Sequence, residues 1–273
     1  MTCKTILAVP EAIQRSLGDR DTFDALMQLQ GKAFRDVKGR KTVQVQLAGK
    51  RYFLKQHFGV GWREIFKNLL TFKKPILGAM TEVHAIEQLG ALGIATTPLV
   101  AYGQRGRSPA HLQSFLLTQD LGDITSLEDI CAEWKNNPPD AAFKRRLVIA
   151  LAQLAARLHG AGLCHRDFYL CHFVLKKTEL ARDNIVLILI DLHRMLTGQP
   201  SSGNAVMKDI AALYFSAMDC GFNADDWALF KQHYLSQADD FWAEVEARAN
   251  RLYAKFHSEK FQKRLAAEKA TID

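Results

Sequence analysis

Leu158-His159-Gly160-Ala161-Gly162-Leu163-Cys164-His165-Arg166-Asp167 runs directly into Phe168-Tyr169-Leu170-Cys171-His172-Phe173-Val174-Leu175. Upstream, Leu147, Ala150, Leu151, Leu154 and Leu158 recur at helical spacing after Pro138-Pro139, so the stretch begins as the end of an apolar-faced helix. Gly160 and Gly162 let the chain leave that helix. A short polar loop then carries His165, Arg166 and Asp167, and Phe173-Val174-Leu175 has the composition of a buried strand.

A loop of this layout takes the form H-R-D-L-x-x-x-N in protein kinases, where Asp receives the proton of the attacking hydroxyl and Asn holds a metal ion. Asp167 fills the Asp position, and His172 stands where the pattern has Asn. A second carboxylate, Asp191, ends the apolar run Ile185-Val186-Leu187-Ile188-Leu189-Ile190, about two dozen residues past Asp167. A kinase places its metal-binding Asp there.

The N-terminal half supplies the cationic counterpart. Glu11 to Leu29 reads as a loop and then a helix, with Asp21 or Thr22 as its cap. Residues 33–47 alternate apolar and polar around Lys38-Gly39-Arg40, and Ala48-Gly49-Lys50 turns into Arg51-Tyr52-Phe53-Leu54-Lys55-Gln56, predicting three short antiparallel strands. Lys55, ending the third, suits the residue that grips nucleotide phosphates. Gly39 is a single glycine where kinases have G-x-G-x-x-G, so Lys38, Arg40 or Lys41 must supply charge if that turn covers phosphate. The pattern predicts a helix over Met80 to Leu92, with Glu82 in its first turn as the partner of Lys55 and Glu87 toward solvent. Two further strands, 93–103 and 114–122, end in a hinge where backbone near Gln119 to Leu121 meets an adenine edge.

Phosphoryl transfer needs these residue types. Charge concentrates on the transferring group, so the site requires a cation, a divalent metal on hard ligands and a carboxylate that orients the nucleophile. His172 is a departure: its imidazole could ligate, sit beside the metal, contact substrate or hydrogen-bond Asp191. Zinc finds no motif spacing in Cys164-His165 and Cys171-His172. His165 and Arg166 read as supports of the loop. Asp209, at the start of the apolar helix Lys208 to Met218, reads as its anchor. Helices over 225–233 and 239–267 close the chain.

The chain has 273 residues, 48% hydrophobic and 24% charged, which describes a globular protein able to bury a large core. The fold class expected is α+β and bilobal: a small antiparallel sheet with one main helix over 1–119, and a mostly helical part over 120–273. Five cysteines without C-x-x-C spacing, and an N-terminus without signal-peptide character, indicate reduced thiols in a cytoplasm. The longest nearly uncharged helical run, Leu147 to Ala156, is about half the roughly 20 residues of a bilayer span. The net charge of +7 favours anionic partners. No nucleic-acid motif accompanies it. Residues 59–79 form a basic amphipathic insertion, in which Trp62, Ile65, Phe66, Leu69, Leu70 and Phe72 recur at helical spacing among Arg63, Lys67, Lys73 and Lys74. Such a segment packs as a surface helix, lies on an anionic membrane or receives an acidic protein.

The runs Gly59 to Leu70, His165 to Phe173, Ile190-Asp191-Leu192-His193-Arg194 and Lys208 to Ser216 resemble the lipopolysaccharide core heptose(I) kinase family. The resemblance spans almost the whole chain, and within it His172 is a family trait. It implies a protein-kinase-like fold and an ATP- and Mg²⁺-dependent kinase of the inner-core heptose, at its 4-hydroxyl, on lipid-A-linked core oligosaccharide. It places the protein peripherally at the cytoplasmic face of a Gram-negative inner membrane, against its anionic surface, with acyl carrier protein as an acidic partner. Under this reading Asp167 is the base, Asp191 with His172 holds metal, and Lys55, Glu82, Gln119 and Leu121 hold ATP. The alternatives are a kinase for another acceptor, protein or small molecule, and an inactive kinase-like scaffold docked at the membrane.

Overall fold

The structure is a computed structural model that describes residues 5–37, 39–59, 61–62, 78–180 and 184–269. Most of the basic insertion at 59–79 lies outside the described residues. The chain divides into two compact units, Met1–Gly122 with Ile190–Met195, and Asp123–Leu189 with Leu196–Asp273.

The first unit is built on a six-stranded antiparallel sheet. Its strands are β1 (Thr5–Ala8), β2 (Lys32–Val37), β3 (Arg40–Leu47), β4 (Lys50–His57), β5 (Leu99–Arg105) and β6 (Gln113–Gln119), in the order β1-β5-β6-β4-β3-β2. Alternation along β3 and β4 sends Val43, Val45, Leu47, Tyr52 and Leu54 to one face. There they pack with Phe23, Leu26, Phe115 and Leu117 against α1 (Glu11–Ser16) and α2 (Thr22–Gln28). The expected single N-terminal helix is thus two, because Gly18 at φ 73° breaks the run before Asp21 caps α2 by accepting from the Asp24 N–H at 2.9 Å. Strand β1 carries no alternation signal: only backbone pairing with β5 makes it a strand. Buried Gln56 ties sheet to helix, its side-chain amide donating to the Leu26, Met27 and Leu29 carbonyls.

Helix α3 (Met80–Ala91) buries Glu82, Val83, Ala85, Ile86 and Leu89. The segment Ile190–Met195 joins this unit and packs against α3 as a short turn over Leu192–Arg194.

The second unit is mostly helical, around β7 (Ile124–Ser126), β8 (Phe173–Lys176) and β9 (Ile188–Leu189). Its helices are α4 (Leu127–Cys131), α5 (Ala141–Gly160), α6 (Asn204–Ala217), α7 (Ala224–His233), α8 (Asp239–Phe256) and α9 (Glu259–Lys269). Asp140 caps α5 by accepting from the Phe143 N–H. The apolar run 185–190 yields only two strand residues: Ile188 and Leu189 pair with Val174 and Phe173 of β8, while Ile185 and Leu187 are buried without a ladder. Helix α6 starts at Asn204, capped from Gly203, so Asp209 lies in its second turn and not at its start. The terminal helical run breaks at His257, dividing α8 from α9.

Candidate functional site

In the first unit, Lys55 on β4 and Glu82 on α3 meet, with Nζ 2.6 Å from Oε1. The same ammonium lies 3.7 Å from Asp191 Oδ1. Glu82 is buried, while Lys55 and Asp191 keep 25% and 31% of their side chains exposed, which leaves the cluster open to a ligand. Burial alone would lower the Lys55 pKa, but Glu82 and then Asp191 outweigh it and hold the ammonium above its usual value. Glu87 is on the other side of α3, exposed beside His84.

Asp191 is left-handed, at φ 62°. Among the described non-glycine residues only Ala48, Arg166 and Asp191 have positive φ, and two of these three are candidate site residues. Such conformations cost roughly 1–3 kcal/mol and persist where the surroundings hold them. One restraint on Asp191 is His193, whose Nδ1–H donates to Oδ1 at 2.7 Å. His193 thus holds a candidate site residue in place, and its position two residues past a strand-ending Asp was the available signal.

At the end of β6, the Gln119 N–H donates to the Pro98 carbonyl and the Asp120 N–H to that of Arg51. The Asp120 carboxylate accepts from Gln44 Nε2 at 2.7 Å and from the Gly122 N–H at 2.9 Å. Of the three amides from 119 to 121, only Leu121 has no protein acceptor among the described residues. A base edge could use that donor.

In the second unit the loop of residues 164–172 is fixed from below. Asp209, buried on α6, accepts the His165 N–H at 2.6 Å on one oxygen and the Arg166 N–H at 2.8 Å on the other. Arg166 is left-handed, at φ 72°, so these two bonds hold the chain reversal that presents Asp167. The Asp167 N–H reaches His165 Nδ1 at 3.3 Å. His172 Nδ1–H donates to the Asp167 carbonyl at 2.6 Å, giving the imidazole a clamping function on the loop. Cys164 and Leu196 exchange backbone hydrogen bonds, and Gly162, at φ 72°, faces Gln199, whose carbonyl would stand 3.1 Å from an added Cβ.

Beneath Asp209, His159 Nε2 lies 3.4 Å from its Oδ2 and Nδ1 lies 2.7 Å from the Tyr234 hydroxyl. A carboxylate only accepts, so Nε2 carries the proton and Tyr234 donates to Nδ1. Burial, with Cys164 and Asp209 nearby, pushes the Tyr234 phenol up, which keeps that donor protonated. His159, Cys164 and Asp209 have ligand atoms within 4.8 Å of one another. Their chemistry is that of a loop support: burial raises the Cys164 thiol to about 12, and both Asp209 oxygens are engaged by N–H groups.

Residues 24–234 match the model of the lipopolysaccharide kinase (Kdo/WaaP) family. The lipopolysaccharide core heptose(I) kinase WaaP of Pseudomonas aeruginosa is 41% identical over 256 residues, 90% of this chain and 96% of that one. WaaP of Escherichia coli K12 is 40% identical over 217 residues, 79% of this chain and 82% of that one. A solved structure described as WaaP in complex with acyl carrier protein is similar with a TM-score of 0.77 at 36% identity, covering 91% of this chain and 99% of that one. The α+β architecture is therefore kinase-like, and the chain belongs to the lipopolysaccharide kinase (Kdo/WaaP) family.

Proposed function

We propose that the protein is an ATP-dependent sugar kinase that phosphorylates the first inner-core heptose of lipopolysaccharide, at its 4-hydroxyl. The observation that carries the kinase reading is the Lys55 ammonium held by buried Glu82 beside the partly exposed Asp191 carboxylate. The heptose acceptor is taken from relatives of about 40% identity over most of their length that bear that name.

In this reading the first unit holds the nucleotide and the second presents the acceptor. Lys55, aimed by Glu82, neutralises phosphate charge, and the Leu121 amide and the nearby Gln119 backbone meet the adenine edge. Asp191 supplies the hard oxygen that Mg²⁺ takes, and His193 with Lys55 fixes its carboxylate, so the residues fit such an ion. Bound there, Mg²⁺ would neutralise charge on the terminal phosphates. Asp167 accepts the proton of the heptose hydroxyl as it attacks, and His165, Arg166, Asp209 and His172 keep that carboxylate in register. Positioning and charge complementarity supply most of the rate in such chemistry.

No described helix is long and apolar enough to cross a membrane. The +7 charge, and the acyl carrier protein in the solved complex of a relative, favour a peripheral position at the cytoplasmic face of a Gram-negative inner membrane, against its anionic surface and with an acidic partner such as acyl carrier protein.

Incubation of the purified protein with ATP and unphosphorylated core lipopolysaccharide tests the assignment. One phosphoryl group on the first heptose, seen by mass and phosphorus NMR, is expected; transfer to protein and not to sugar would replace it with a kinase of another acceptor. Asp167→Ala should abolish transfer while ATP binding persists.

A further inference from the structure

Strands β3 and β4 pair with Thr42 opposite Lys55 and Arg40 opposite His57. Opposed residues share a face, so Arg40, Thr42, Lys55 and His57 lie on the side of the sheet away from the Val43, Val45 and Leu54 core. β2 adds Arg35, which pairs with Thr42. The Arg40 guanidinium is half-buried. Burial and the neighbouring Arg35 charge work against it, while Asp191 and Glu82 attract it, with the net effect of lowering its pKa. Yet among the described residues it makes no hydrogen bond or ion pair, whereas both carboxylates that attract it are engaged by Lys55. A partly desolvated cation with no anion bonded to it is costly unless a ligand supplies one.

The base of this side chain is rigid. Arg40 follows Gly39, whose φ of 82° makes the turn, and the Gly39 carbonyl accepts the Phe58 N–H at 2.9 Å, pinning the hairpin to the end of β4. Along β4 the order is Phe53, Lys55, His57, so Arg40 stands roughly 7 Å past Lys55, on the side away from Phe53 and the Gln119–Leu121 stretch. His57 contributes no competing charge, because burial first, then Arg40, Lys55 and His193, hold it neutral.

We propose that Arg40 grips the distal phosphates of the bound nucleotide, doing with a guanidinium what a glycine-rich turn does with backbone amides. A planar fork of donors suits two phosphate oxygens at once. The proposal rests on the nucleotide reading of Lys55, Glu82 and Asp191.

The test is the affinity of the intact chain and its Arg40→Gln and Arg40→Lys variants for ATP, ADP, AMP and adenosine, by calorimetry and by competition against a fluorescent ADP analogue. Arg40→Gln should weaken ATP and ADP at least tenfold and leave AMP and adenosine within twofold, with Arg40→Lys between. ATP affinity within twofold of the unaltered chain in Arg40→Gln would overturn the proposal alone. Equal losses for all four ligands in both variants would overturn it as well, exposing a role in the fold. If the unaltered chain binds neither ATP nor ADP and Lys55→Met changes nothing, the nucleotide reading itself falls, and this proposal with it.

Discussion

Lys55 Nζ touches Glu82 Oε1 at 2.6 Å and stands 3.7 Å from Asp191 Oδ1, so one ammonium links strand β4, helix α3 and the turn after β9. The shorter contact is to the buried partner and the longer to the exposed one. Glu82 therefore orients the lysine, and Asp191 is the carboxylate left more accessible to a metal ion. Glu82→Gln keeps the shape and removes the charge. Loss of one member of a buried pair costs about 3–5 kcal/mol, and the exposure of Lys55 and its second partner reduce this to about 1–3 kcal/mol. ATP affinity should fall about tenfold, and kcat/KM by more than that. Denaturant unfolding with calorimetric titration checks both; unchanged ATP affinity in a folded variant would remove Glu82 from the nucleotide site.

Asp209 acts on the opposite half of the chemistry. Its oxygens take the His165 and Arg166 N–H groups, and hydrogen bonds to a charged acceptor contribute about 1.5–3 kcal/mol each. Asp209→Asn keeps one acceptor and turns the other into a donor facing an N–H. The left-handed Arg166 then loses a restraint. The variant should lose about 2–3 kcal/mol of stability and at least a hundredfold in kcat, with the KM for ATP near that of the unaltered enzyme. A parallel loss in ATP affinity would mean that Asp209 supports more than the Asp167 loop.

His57 gives the stability of the first unit a pH dependence. Burial, with the Arg40, Lys55 and His193 charges, lowers its pKa from 6.5 to about 3. A depressed folded pKa means that the unfolded chain binds the proton first as pH falls. The contribution is complete above about 6.5 and is lost between 6.5 and 3, amounting to about 4 kcal/mol at the lower end. Unfolding free energies measured from pH 7 to 4 should fall less steeply in His57→Gln. Identical slopes in the two proteins would show that the imidazole protonates without cost.

The residues proposed to carry chemistry were more legible in the sequence than the surfaces that position them. Lys55, Glu82, Asp167 and Asp191 stand at readable distances from strand and helix ends, because phosphoryl transfer constrains their chemistry and their order. His57 and the His159–Tyr234 contact were not legible, since each depends on partners that only tertiary structure brings near, whereas the partner of His193 lies two residues away and was overlooked. Strand β1 was missed for the same reason: edge pairing with β5 gives it structure, not its own alternation. The run 185–190 misled in the other direction, because apolarity reports burial and not hydrogen bonding, and only Ile188 and Leu189 of it pair with β8.

His172 separates two readings that the sequence left open. An imidazole in the place of a metal-holding Asn could be a ligand, yet its Nδ1–H donates to the Asp167 carbonyl at 2.6 Å and its ring lies against His165, with centroids 5.4 Å apart. Both contacts stiffen the loop that presents Asp167. His172→Ala deletes them, and kcat should fall about 10–100-fold, the range over which a misplaced proton acceptor is felt. The Mg²⁺ concentration for half-maximal rate should move less than twofold, because Asp191 is untouched. His172→Asn, which restores a donor near the carbonyl, should recover part of the rate. A tenfold rise in the Mg²⁺ requirement of His172→Ala, with kcat restored at saturating metal, would instead make His172 a ligand and leave the hold on the Asp167 carbonyl incidental.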